Sequence, residues 1–260
     1  MWMFVAVAFL FAGCQQRYEV KTVNTLVSEP NIPTTSAPPA YVVKAIEAVG
    51  GMNAWIRTKK IQLESVVTFY QSDGSFHLTE QNYIVYPWSN SIQISAREPE
   101  GTYLWQLSRG KFEVLQKEGQ RDALPVGISS NHFAELILSI MTIPARLYDE
   151  AAEFSRENSG LKIQGQWYFP ISRLKSPTIS EIQTTALSNA VFFQDRDNFL
   201  IDMLLFDFAG EGSNLAVRGY DYMKVGKGGI LVPARIEIFR ADTRGNLQQR
   251  LVKIDVHTLK

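Results

Sequence analysis

A single cysteine, Cys14, stands in a chain of 260 residues. One thiol can close no internal disulfide and build no cysteine-based zinc site. Histidine is nearly as scarce. His77, His132 and His257 lie far apart, and no His-Glu-x-x-His run pairs them. A Gly-x-Ser-x-Gly elbow is missing, so a hydrolase nucleophile has no support. There is no excess charge either: 26 basic and 26 acidic residues cancel. A neutral chain offers nucleic acid no basic footprint. Past Ala12 no apolar run reaches the roughly 18 residues that a membrane-crossing helix needs. The chain is therefore read as a non-enzyme, with no catalytic residue, no metal site and no cofactor.

Two segments imitate ligand loops without the required context. Gly226-Lys227-Gly228-Gly229 reads as a hairpin turn, because no helix pattern follows it to cradle a phosphate. Asp195-Arg196-Asp197-Asn198 lacks the glycine and the distal glutamate of a calcium loop and reads as a solvated turn.

Apolar residues, in contrast, are plentiful. Hydrophobic residues make up 45% and aromatic residues 12% of the chain, enough for a real core. The N-terminus opens with a short apolar run, Trp2 to Ala12, of signal-peptide length. Ala12-Gly13-Cys14 closes it. Phe11-Ala12-Gly13-Cys14 resembles a bacterial lipobox, with Phe11 where Leu is commonest and no Lys or Arg in Met1-Trp2-Met3. The resemblance implies removal of residues 1–13 and acylation of Cys14 by long chains such as palmitate, a lipid anchor in the membrane. Gln15, not Asp, then implies the outer membrane, facing the periplasm. Residues 14–40 read as a flexible stalk. Pro30, Pro33, Pro38 and Pro39 sit among Ser, Thr and Asn, too polar to offset the entropy of ordering.

The rest, 41–260, reads as one domain. Val42, Val43, Ile46 and Val49 give a first helix, stopped by Gly50-Gly51. From Lys60 the period becomes two. Ile61, Leu63, Ser65, Val67 and Phe69 share a face. Strands Phe76–Tyr86, Ser91–Arg97, Thr102–Ser108 and Lys111–Gln116 follow in a meander. Along Phe76–Tyr86 the pattern groups Leu78 and Ile84 on one face. Asn131 is the expected N-cap of a helix carrying Phe133, Leu136, Ile137, Ile140 and Met141. Beyond Pro144 a more polar helix is expected over Ala145–Arg156, with Leu147, Tyr148, Ala151 and Phe154 inward. Strands return at Leu161–Phe169, Val191–Gln194, Leu200–Phe208, Leu215–Val225, Ile230–Ala241 and Leu247–Leu259. Ser176–Ser188 fits neither period.

The expected fold is mainly β: a curved antiparallel half-barrel of about 10–11 strands with a helical lid on its concave face. At this point the chain resembles the LolA/LolB-type half-barrel of bacterial lipoprotein carriers and acceptors. Tyr220-Asp221-Tyr222, Gly228-Gly229-Ile230-Leu231-Val232-Pro233-Ala234-Arg235-Ile236 and Arg250-Leu251-Val252-Lys253-Ile254 look like its closing strands. Ala45-Ile46-Glu47-Ala48-Val49-Gly50-Gly51 with Trp55 looks like the opening of related envelope lipoproteins. The resemblance implies a lipid or lipoprotein acyl chain held between sheet and lid, in lipoprotein sorting or lipid transport. Phe69, Ile84, Leu104, Phe133, Ile137, Ile140 and Met141 are the expected lining. Trp88 lies in a loop where a membrane-touching tip is expected. The alternative on the same fold is a structural or sensory envelope protein with a protein partner.

Overall fold

Period-two patterning in the sequence becomes one sheet of thirteen antiparallel strands in the computed structural model, more than the ten or eleven expected. The structure describes residues 38–98, 101–118, 124, 126–147, 153–174, 190–208, 214–226 and 229–260. Two helices come first, α1 (Ala40–Ala48) and α2 (Met52–Arg57). The meander follows: β1 (Ile61–Tyr70), β2 (Phe76–Tyr86), β3 (Ser91–Glu98), β4 (Gly101–Ser108) and β5 (Lys111–Glu118). Then come α3 (Ser130–Met141) and α4 (Ile143–Leu147). The second run of strands is β6 (Glu153–Arg156), β7 (Leu161–Ile163), β8 (Gln166–Leu174), β9 (Ala190–Asp195), β10 (Ile201–Phe206), β11 (Asn214–Val225), β12 (Ile230–Ala241) and β13 (Leu247–Leu259).

The strand order is β5-β4-β3-β2-β1-β13-β12-β11-β10-β9-β8-β6, with β7 also on β8. The last strand closes against the first: Phe69 pairs with Val252 and Leu63 with Leu259. The sheet has two ends and does not close on itself. It does curl. Helix α3 touches β3 and β4 from the first meander and β10, β11 and β12 from the second. Strands that far apart in the order can reach one helix only if the sheet wraps round it. The main core lies on this concave side, with Ile61, Leu63, Val67 and Phe69 facing it as the period predicts. A smaller core sits on the convex side, from Ile163, Tyr168, Phe193, Met203, Leu205, Ala216 and Ala241.

Three local expectations are corrected. Leu161–Phe169, expected as one strand, turns back at Gln164-Gly165 to give β7 and the start of β8, with Ile163 paired to Gln166. Residues 153–156 form a strand, not the end of a helix; Phe154 pairs with Arg173 and Arg156 with Ile171. Cross-strand pairing there overrides a helical spacing of apolar residues that only four residues share. The N-cap of α3 is Ser129, whose Oγ accepts from the backbone N–H of His132 at 3.1 Å. A serine hydroxyl meets the orphan N–H as well as Asn would. The lipobox, most of the stalk, Tyr148, Ala151 and the segment 176–188 lie outside the described residues.

Candidate functional site

The concave face is organised round α3. Every residue from Phe133 to Met141 is buried, including Ala134, Glu135, Leu138 and Ser139 on the sides away from the expected stripe. A helix buried on all faces, with Glu135 and Ser139 its only polar members between Phe133 and Met141, belongs inside a protein, and here the curled sheet supplies the surround. Thr142 closes the helix, its hydroxyl donating to the Leu138 carbonyl at 2.6 Å. Ser139 is fully buried, and its Oγ has no hydrogen-bond partner.

Five of the seven expected lining residues come together here. Phe69, Phe133, Ile137, Ile140 and Met141 belong to one buried cluster. The rings of Phe69 and Phe133 stand 6.0 Å apart. Ile84 and Leu104 are not brought to it. Each is half-buried and stands at the alternate register to its core-facing neighbours, Tyr83 and Val85 on β2 and Trp105 and Leu107 on β4. Ile84 instead pairs across with Gln62 and Gln93, and Gln93 donates to Gln106. In their place Tyr83 and Trp105 face the cluster, missed because β2 and β4 carry apolar residues on both faces, and Ile94 of β3 faces it beside them.

Trp88 is turned inward. It is half-buried against the core, and its indole N–H donates to the Trp55 carbonyl at 2.9 Å. Among the described tryptophans the one with an exposed face is Trp167. Its surroundings of Gly and Gln in a short hairpin gave the sequence no distinguishing mark.

One patch of the inner face is polar yet neutral. Tyr83 donates to Gln81 Oε1 at 2.5 Å, and Gln81 Nε2 donates to Tyr103 at 2.7 Å. Tyr103 stacks on Trp105 with centroids 4.1 Å apart. Burial pushes the Tyr83 phenol well above its usual range, so it stays protonated at physiological pH. Such a face favours an apolar chain over a charged substrate.

The histidines are dispersed. His77 Nε2 faces Glu98 at 3.6 Å, His132 stacks on Phe208, and His257 lies 4.0 Å from Glu64. Among the described residues no three His, Cys, Asp or Glu side chains gather as metal ligands.

No protein-family model and no curated protein matches the sequence. Solved structures do. A LolA superfamily protein from Nitrosomonas europaea is similar at 10% identity and a TM-score of 0.49, over 86% of this chain and 94% of that one. A DUF1329 family protein from Desulfovibrio piger is similar at 12% identity and a TM-score of 0.47, over 86% and 93%. A putative outer membrane lipoprotein-sorting protein domain from Vibrio parahaemolyticus is similar at 11% identity and a TM-score of 0.43, over 84% and 92%.

Proposed function

We propose that this chain is a lipid-anchored protein of the bacterial envelope that holds an acyl chain, free or on a lipoprotein, between α3 and the concave face. One observation carries the reading: α3, buried on every side from Phe133 to Met141 and mostly apolar, fills the concavity of a sheet that does not close. An element held there by dispersion and burial can give way to another apolar body of similar section. Met141 at its end adapts to irregular partners. Cys14 would carry the anchor, and two or three acyl chains there hold a protein on a membrane durably. The outer membrane, facing the periplasm, is the proposed place, with sorting or transport of lipids as the role.

The test is native mass spectrometry with lipid extraction on the full-length protein purified from a bacterial envelope, followed by titration with a fluorescent fatty acid. A co-purifying phospholipid or acylated peptide, displaced by the probe, is the expected result. A protein free of lipid that also takes up no probe overturns the reading.

A second reading, a module for protein contact, has one observation in its favour. Phe76 and Leu78 stand 62% and 50% exposed at the β1–β2 hairpin, beside the partly exposed Val66. Apolar side chains grouped in water mark contact surfaces.

A further inference from the structure

Four aromatic rings gather beside the first turn of α1. Tyr41 lies in the first turn of α1, Trp167 and Phe169 are alternate residues of β8, and Phe199 sits in the turn between β9 and β10. Their backbones are tied together. Phe169 pairs with Gln194, whose side-chain amide donates to the carbonyls of Tyr41 (2.8 Å) and Phe199 (3.4 Å). The Trp167 carbonyl accepts from the N–H of Arg196 at 3.0 Å. Tyr41 donates its hydroxyl to the Phe154 carbonyl at 2.9 Å.

Each ring carries a cation over its face. Arg156 lies 5.2 Å from the Tyr41 centroid and 4.8 Å from that of Phe169. Arg196 lies 5.9 Å from Trp167, and Lys44 4.6 Å from Phe199. The face is not a packed interior. Trp167 is 40% exposed, Val43 is 37% exposed, and Lys44 and Arg196 are exposed beside half-buried Tyr41, Phe169 and Phe199.

Phe199 is held there against its own preference. Its φ is 63°, a region that bulky side chains avoid. The turn enforces it: the Asp195 side chain accepts from Asp197 and Asn198 N–H, and Phe199 N–H donates to the Asp195 carbonyl. Strain of this kind persists where the surroundings over-determine it.

From this rim we infer that the chain docks on a phospholipid bilayer through Tyr41, Trp167, Phe169 and Phe199, with Lys44, Arg156 and Arg196 meeting lipid phosphates. Amphipathic rings flanked by long basic side chains suit the boundary between headgroups and acyl chains, where the ring is half buried and the cation reaches a phosphate. The chain's own layout selects the occupant. The chain read as a stalk, residues 14–40, enters immediately before Tyr41, so a lipid anchor at Cys14 keeps this rim within roughly 30 Å of the bilayer, the span of a flexible chain of that length. The inference rests on the anchored reading above in that one respect. Glu47, Glu153, Glu157 and Asp197 are exposed nearby and offset the basic charge. The rim therefore binds weakly by itself, and the tether makes the contact effective by raising local concentration.

The test uses the full-length lipidated protein reconstituted in phospholipid vesicles with plain or brominated acyl chains, beside a Trp167→Phe variant. Flotation first establishes that the protein is on the vesicles. The fluorescence difference between wild type and variant isolates Trp167, and bromine is expected to quench most of it. Amide exchange at 41–44, 166–169 and 196–200 is expected to slow several-fold on vesicles relative to detergent. A floating protein whose Trp167 signal is untouched by bromine overturns the rim and leaves the anchor standing. Slowed exchange without quenching overturns it in favour of a protein cover, such as a second copy. A protein that does not float overturns the anchor and the rim together.

Discussion

Gly50 lies directly against Gly229: a Cβ added to Gly50 would stand 2.8 Å from the Gly229 carbonyl oxygen and 3.0 Å from the Ile230 Cα. The α1–α2 turn is thus pressed on the start of β12. Leu231 N–H donates to the Val49 carbonyl at 2.9 Å, and the Trp55 indole donates to the same oxygen at 3.0 Å. Gly50 also has φ 107° and Gly51 φ 80°, but nothing lies within 4 Å of a Cβ on Gly51. Both alanine substitutions are strained, and only one collides. Gly51→Ala is expected to cost about 1 kcal/mol and Gly50→Ala roughly 3 kcal/mol or more. For a domain of this size the second lowers Tm by about 6–12 °C. Equal melting temperatures for the two variants would show that the contact yields.

Ser139 makes the opposite case. Its hydroxyl is buried in α3 without a partner, a desolvation cost with no bond in return. Ser139→Ala is expected to hold stability or raise it by about 1 kcal/mol, whereas Phe133→Ala, at a fully buried ring, is expected to cost about 3–5 kcal/mol. Chemical denaturation of both reads the contrast. A Ser139→Ala variant that loses more than about 1 kcal/mol would mean that its hydroxyl is bonded in solution.

How much of this was legible follows the residues. Ile61 to Phe69 alternate cleanly, and the face they predict is the face they bury. The period of β2 does not decide, because Tyr83, Val85 and Tyr86 are buried while Ile84 between them is half-buried. A strand apolar on both faces has no register in its sequence, and a one-residue slip moves a side chain to the other side. That slip placed Ile84 and Leu104 among the lining and left out Tyr83 and Trp105. β6 escaped for another reason: four residues are too few for a period, and β8 creates the strand by pairing with it. The aromatic rim was illegible because its members come from α1, β8 and a turn, far apart along the chain. The lid was legible because α3 is one contiguous run.

Asp202 gives stability a pH dependence of known sign. Burial raises its carboxyl, Arg218 and the Tyr168 hydroxyl oppose that, and the balance leaves it at about 6. A folded-state value above the unfolded one means that the folded state binds the proton more tightly. The stability it contributes is full below about pH 4 and is lost as pH rises through about 6, amounting to roughly 3 kcal/mol. Asp202→Asn is expected to abolish this component. Urea melts of wild type and variant at several values between pH 4.5 and 7.5 measure it: the difference between them should change with pH, most steeply near about pH 5. A constant difference would place the carboxyl at an ordinary value.

The same cluster predicts an asymmetry between its two charges. Arg218 is clasped by the β7–β8 hairpin: its guanidinium donates to Gln164 at 3.0 Å, Gln166 at 2.8 Å and Tyr168 at 2.7 Å, and lies 3.5 Å from Asp202 Oδ2. Four side chains thus depend on one cation, while Asp202 Oδ1 has no partner. Removing Arg218 takes away the charge that holds the Asp202 carboxyl down, so that carboxyl must stay buried unpaired or take up a proton, and it frees the hairpin from β11. Arg218→Met is expected to cost about 3–5 kcal/mol at pH 7, the usual result of breaking one side of a buried pair. Asp202→Asn is expected to cost less, because the amide keeps an acceptor for Arg218 and Tyr168. Adding Asp202→Asn to Arg218→Met should restore part of the loss, since no buried charge then remains. A double-mutant cycle by denaturant unfolding, with hydrogen exchange at 161–168, reads both effects. If the two losses simply add, Arg218 acts through the hairpin glutamines and tyrosine alone, and the ion pair contributes nothing to the fold.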